Sequence, residues 1–141
     1  MSSLPCACTT VRKADRALFR VYDAALSGSG LTIIQFSILR NLERSGETPL
    51  SRLAEKLMME RTSLYRTIKP LQDDGLVKIV AAPRGREKLA ELTPEGHARL
   101  ADALPRWAQI QGQVIDRIGA NEWKAMSALF ATLPALLKDL T

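Results

Sequence analysis

The sequence predicts a mainly α-helical chain (α+β) whose only strands form one short hairpin. Three observations predict it. Apolar residues recur at spacings of three, four and seven along most of the chain. Helix start signals stand at Thr32, Thr48, Thr93 and Asn121. Late in the chain the pattern changes to two short runs, "LVKIVAA" and "KLAEL", joined by the polar "PRGRE".

Each element follows from local signals. A first helix, about Cys8 to Ala25, carries Val11, Leu18, Val21, Tyr22 and Ala25 on one side and ends at the linker "SGSG". Thr32 is read as the N-cap of a second helix, with Gln35 as its capping-box partner and Leu31 against Phe36 as a staple. That helix should end near Ser45 and Gly46. A short third helix, about Pro49 to Leu57, takes Thr48 as N-cap and Pro49 at its first position. After "MMER" a fourth runs from about Thr62 to Asp74, stopped by Gly75. Beyond the hairpin, Thr93 and Pro94 start a long helix through Trp107, Ile110, Val114 and Ile118, with Pro105 expected to kink it. Asn121 is read as the cap of a last helix with a broad apolar stripe from Trp123 to Leu137. Three helices and a two-stranded wing between long terminal helices make a winged helix-turn-helix in a helical frame.

Composition bounds the function. A chain of 141 residues, 46% hydrophobic and 25% charged, fits one globular domain. No apolar run approaches the roughly 18 residues that span a bilayer, and no secretory signal opens the chain, so no membrane partner and a cytoplasmic location are expected. Between Ser51 and Lys88 nine basic residues face five acidic ones, a local excess of +4 in a chain of net charge +5. Such clustering on one motif points to a polyanion, a solvated surface being the plain alternative.

The phase of the fourth helix divides that motif. At about 100° per residue, Leu64, Ile68 and Leu71 share one side, and Thr62, Arg66 and Lys69 fall roughly opposite, with Ser63 and Tyr65 on the shoulders. Arginine can bond guanine O6 and N7 together and hydroxyls can donate or accept, so Arg66, Ser63 and Thr62 are the candidates for base contacts. Arg61, Tyr65 and Lys69 are the candidates for holding phosphates. In the hairpin, Arg84, Arg86 and Lys88 surround Gly85, where a long cation can enter a narrow minor groove. Pro70 removes one N–H from this helix, a tolerated kink in the plain reading.

The stretches "LTIIQFSILRNL", "LSRLAEKLMMERTSLYRTIKPLQDDGLV" and "LAELTPEGHARL" resemble the MarR family of bacterial transcriptional regulators along nearly the whole chain. The resemblance implies sequence-specific binding of double-stranded DNA, with residues 31–93 as the DNA-binding region and 1–30 with 94–141 as a helical dimerisation region. It makes Arg86 the wing arginine, while the aspartate usual two places earlier is Arg84 here. It also implies a pocket between the terminal helices and the winged region for a small aromatic effector. Arg16, Tyr22, Phe36 and Trp107 are its candidates, ordinary packing being the alternative. The apolar faces of the terminal helices independently call for a partner. A homodimer interface through Val11, Leu18, Trp107, Ile110, Val114, Ile118, Leu133 and Leu137 would set two recognition helices against a pseudo-palindromic operator.

Two other readings stay open. Cys8 precedes Tyr22 by the 14 residues that separate a reactive cysteine from a tyrosine in the organic-peroxide-sensing branch of the family, so Cys8, with Cys6 beside it, is a redox candidate. Arg12 stands where that branch has its second tyrosine. A winged helix that binds only protein is the other rival. No cofactor or metal site is expected, because Cys6, Cys8 and His97 cannot complete four ligands. No phosphate loop or nucleophile motif argues for an enzyme.

Overall fold

The computed structural model describes residues 3–141. Its helices are α1 (Ala7–Leu26), α2 (Ile33–Ser45), α3 (Leu50–Lys56), α4 (Arg61–Asp73), α5 (Pro94–Ile118) and α6 (Ala120–Leu136). Its strands are β1 (Thr48–Pro49), β2 (Val77–Ala81) and β3 (Lys88–Leu92). Two compact units divide after Trp107, and each is described by itself.

In the first unit the helix-turn-helix core is closed by one apolar cluster. Leu39 and Leu42 of α2, Leu53 of α3, Leu64, Ile68 and Leu71 of α4, Val77 of β2 and Leu100 of α5 are all buried in it. Leu26 is the one fully buried residue that α1 adds. Asp23 of α1 accepts the Ile33 N–H at 2.7 Å, which ties α1 to the first turn of α2. The capping box of α2 forms as expected: Gln35 N–H donates to Thr32 Oγ1 at 3.2 Å and Thr32 N–H to Gln35 Oε1 at 3.0 Å. Leu31 and Phe36 are both buried beside it.

The hairpin pairs β2 with β3 in antiparallel register, from Val77 opposite Leu92 to Ala81 opposite Lys88. A third strand corrects the two-stranded expectation, because Thr48 and Pro49 pair with Ala90 and Leu89 and make β3 the central strand. Thr48 is therefore not a helix cap. Its hydroxyl donates to Gly46 O at 2.8 Å, and α3 begins at Leu50 after Pro49. An edge strand accepts proline because its missing N–H need not face a partner.

The joint between sheet and α5 is tight. Thr93 N–H donates to Leu76 O at 3.1 Å, and Thr93 Oγ1 donates to Gly75 O at 2.6 Å and accepts the Gly96 N–H at 3.0 Å. Pro105 lies inside α5 without ending it.

The second unit holds the end of α5 and all of α6. No residue of α6 is buried, and Met126, Leu129, Phe130, Leu136 and Leu137 are exposed. Asn121 is not its cap: the cap is Gly119, at φ 102°, a conformation that favours glycine, and Asn121 is already inside the helix. Thr32→Ala is accordingly expected to lower unfolding free energy by about 1 kcal/mol in urea titration, whereas Asn121→Ala should change it by about 0.5 kcal/mol or less.

Candidate functional site

Helix α4 is buried along one side and exposed along the rest. Leu64, Ile68 and Leu71 are 1–2% exposed. Arg61, Thr62, Ser63, Tyr65, Arg66 and Lys69 are all exposed. Thr67 is half-buried, and its hydroxyl donates back to Ser63 O at 2.8 Å, so it stays on the helix. Lys69 Nζ pairs with Asp73 Oδ1 one turn on; both are exposed, and such a pair contributes little and exchanges readily for another anion. Pro70 sits on the exposed side with Arg66, so water can take the carbonyl bond that proline leaves unmade.

The wing adds its own exposed cations, two of which, Arg86 and Lys88, share a cleft with α4. Arg84, Arg86 and Lys88 are exposed around the tip, which Ala82 N–H closes by donating to Glu87 O at 2.9 Å. A cleft of about 270 Å³ joins the wing to the start of α4, with Arg61, Tyr65, Arg86 and Lys88 on its wall. Ser51 Oγ donates to Glu87 Oε1 across it at 3.4 Å. Sequence reasoning missed Ser51 and Glu87, which are 36 residues apart and carry no local signal. Among the described residues Arg86 forms no ion pair, and Arg84 stands two positions before it.

The four residues offered for an effector pocket separate. Phe36 and Trp107 do meet, their rings stacked with centroids 5.9 Å apart and planes 15° from parallel. They border a cleft of about 220 Å³ with Ser37, Arg40, Asn41 and Arg44. Arg16 is exposed on α1 and lines neither this cleft nor its neighbour, a cleft of about 350 Å³ among Phe19, Ile33, Ile34, Ser37, Leu57, Met58 and Met59. Tyr22 is half-buried, and burial pushes its phenol above the ordinary value. Helical spacing would have found the cations: Ser37, Arg40, Asn41 and Arg44 are three, four and seven apart.

Cys6 and Cys8 are both free and exposed. Cys6 stands at the N-cap position of α1 without a side-chain cap hydrogen bond, and the polar groups near it, the Thr9 N–H first, then the Thr9 hydroxyl and the Cys8 N–H, hold its thiol below the ordinary range. Among the described residues no three His, Cys, Asp or Glu side chains gather to hold a metal, and no helix is long and apolar enough to cross a membrane.

This arrangement, a buried-backed helix with an exposed polar face beside a basic hairpin, defines a winged helix-turn-helix. The MarR family model matches residues 31–83. The transcriptional regulator MosR of M. tuberculosis, solved in complex with DNA, is 38% identical, with 96% of this chain and 98% of that one covered and a TM-score of 0.87. A probable transcriptional regulator from Pseudomonas aeruginosa is 26% identical over 90% of this chain and 96% of its own, with a TM-score of 0.82. An uncharacterized HTH-type transcriptional regulator of Bacillus subtilis, YhbI, is 23% identical over 83% of this chain and 77% of its own. The protein belongs to the MarR family. It is a transcriptional regulator and not an enzyme.

Proposed function

We propose that the protein is a homodimeric, cytoplasmic repressor that reads a pseudo-palindromic operator in double-stranded DNA and is released by a small aromatic acid-like ligand. The observation that carries the DNA reading is helix α4, on which six polar or cationic side chains are exposed while Leu64, Ile68 and Leu71 are buried, with Thr62, Arg66 and Lys69 on the side opposite them. A polyanion is the partner such a face fits, and a protein-binding module would need no cations there. Arg66, Ser63 and Thr62 read base edges, Arg61, Tyr65 and Lys69 hold phosphates, and Arg84, Arg86 and Lys88 reach backbone or minor groove. That a 38% identical relative is solved with DNA supports this assignment.

Residues 31–93 do the reading in this account, and 1–30 with 94–141 pair the chains. Support comes from apolar side chains left exposed on the single chain: Val11, Phe19 and Val21 on α1, and Leu129 and Phe130 on α6. Twofold pairing sets half-sites about one helical turn apart. For ligand release, Phe36 and Trp107 form the aromatic wall with Arg40 and Arg44 beside them, which makes an anionic aromatic the fitting class.

Operator binding is expected to fall linearly with salt on logarithmic axes, with a slope of about −0.9 for each phosphate neutralised. Fluorescence anisotropy on the protein's own promoter DNA between about 50 and about 200 mM salt measures it. A slope near zero would oppose the phosphate contacts assigned above.

A second reading is favoured by Cys6. A thiol lowered at a helix start is the more reactive form, so a peroxide can oxidise the Cys6 thiolate to a sulfenic acid with release of water or alcohol. Cys8 lies two residues on. In this reading peroxide abolishes DNA binding in the wild type and not in Cys6→Ser. Equal retention of binding in both would remove it.

A further inference from the structure

On the reading that the cleft between the wing and α4 takes backbone phosphates of a duplex, we infer that Glu87 stands in for such a phosphate in the free protein. Its carboxylate occupies the seat and an incoming phosphate must displace it. Glu87 thereby holds down the affinity for every duplex alike.

The charges of the cleft are of mixed sign. Arg61, Arg86 and Lys88 line this space of about 270 Å³ with Tyr65 and Ser51, and Glu87 is the one acidic side chain on its wall among the described residues. The three cations alone would make a plain seat for an anion. A carboxylate on the same wall repels any phosphate that enters.

Two strand registers hold Glu87 in place. On one side β1 pairs Thr48 with Ala90 and Pro49 with Leu89, and the same register run on by two residues sets Ser51 opposite Glu87. Ser51 Oγ donates to Glu87 Oε1 across that gap at 3.4 Å. On the other side Ala81 of β2 pairs with Lys88, and Ala82 N–H donates to Glu87 O at 2.9 Å as the next step of that ladder. Arg84 and Arg86 lie in the loop beyond this last bond, whereas Glu87 is tied to both neighbours of β3.

The carboxylate leaves the cations available. No ion pair joins Glu87 to Arg61, Arg86 or Lys88 among the described residues. The Ser51 hydroxyl has one proton to donate, and giving it to a phosphate takes it from Glu87. A bound duplex leaves Glu87 facing a like charge without its donor, and because Glu87 is exposed, its carboxylate can turn out to water.

Fluorescence anisotropy with the full-length protein tests this on two duplexes, the protein's own promoter DNA and a scrambled duplex of equal length. The proteins compared are wild type, Glu87→Gln and Glu91→Gln. Glutamine keeps an oxygen for the Ser51 hydroxyl and removes only the charge of an exposed residue, so the fold is retained. Glu91 is also exposed on β3 and its loss changes net charge equally. It stands about 13 Å further along the strand, beyond the screening length of about 8 Å at about 0.15 M salt. Glu87→Gln should tighten binding about fivefold per half-site, about 25-fold for a dimer that uses both, the effect of unit charges about 4 Å apart in water. The gain should be equal on both duplexes, since every duplex carries the phosphates, and should shrink as salt rises. Glu91→Gln should change affinity by less than about twofold. No gain from Glu87→Gln, an equal gain from Glu91→Gln, or a gain confined to the promoter overturns the inference while leaving the phosphate reading in place. Failure of all three proteins to bind either duplex overturns both.

Discussion

Arg66→Ala is expected to weaken operator binding by about 1–3 kcal/mol at each half-site, or about 2–6 kcal/mol for a dimer that uses both, which is on the order of 30-fold or more. Arg66 is exposed, lies opposite the buried Leu64, Ile68 and Leu71, and forms no ion pair among the described residues, so nothing on the protein competes for its guanidinium. The loss should be largest on the native operator and small on duplexes changed at one base, because a base contact carries discrimination. Lys69→Ala provides the contrast. Lys69 already pairs with Asp73, and its partner in the complex is taken to be a phosphate, so that variant should weaken all sequences alike. It should also make the salt slope shallower by about one per half-site. Anisotropy on the operator and single-base variants separates the two. A uniform loss for Arg66→Ala would move it from reading bases to holding backbone.

Gly96→Ala is expected to destabilise the first unit by about 2 kcal/mol or more in urea titration. A methyl group at Gly96 would stand 2.1 Å from Leu76 O and 2.6 Å from a methyl carbon of Leu92. The leucine side chain can turn away, but the carbonyl cannot, because Thr93 N–H donates to it and Leu76 itself is buried. In an exposed helix the same change would stabilise by about 1 kcal/mol, so the sign of the result is informative. Leu76 and Leu92 border the paired strands of the wing, and a shift there should also weaken operator binding. Stabilisation by alanine would mean that α5 does not pack against this turn.

Much of this arrangement was legible because it is written in short-range chemistry. Thr32 and Gln35 announce α2 by a reciprocal cap, and the burial of α4 follows from the phase of Leu64, Ile68 and Leu71. "LTPEG" was readable as a helix start, but not as a clasp: that Thr93 bonds Gly75 and that Gly96 must lack a side chain depends on where Leu76 lies in space. Strand β1 escaped because two residues, Thr48 and Pro49, also spell a helix start, and only Ala90 and Leu89 opposite them decide otherwise. Asn121 misled for a similar reason, since Gly119 two positions earlier supplies the turn. Of the four residues offered for an effector pocket, Phe36 and Trp107 do border one cleft, but the cations beside them come from α2, while Arg16 lies exposed on α1 and lines none of it.

The central claim, that this regulator reads a specific DNA sequence through α4, is tested most directly by comparing its affinity for its own promoter region with that for a scrambled duplex of equal length. Both are measured by anisotropy at one salt concentration, for wild type and for Arg66→Ala. The account predicts that the wild type binds the promoter at least about a thousandfold more tightly than the scrambled duplex, and that Arg66→Ala narrows that gap by about 30-fold or more. Equal affinity of the wild type for the two duplexes would contradict it.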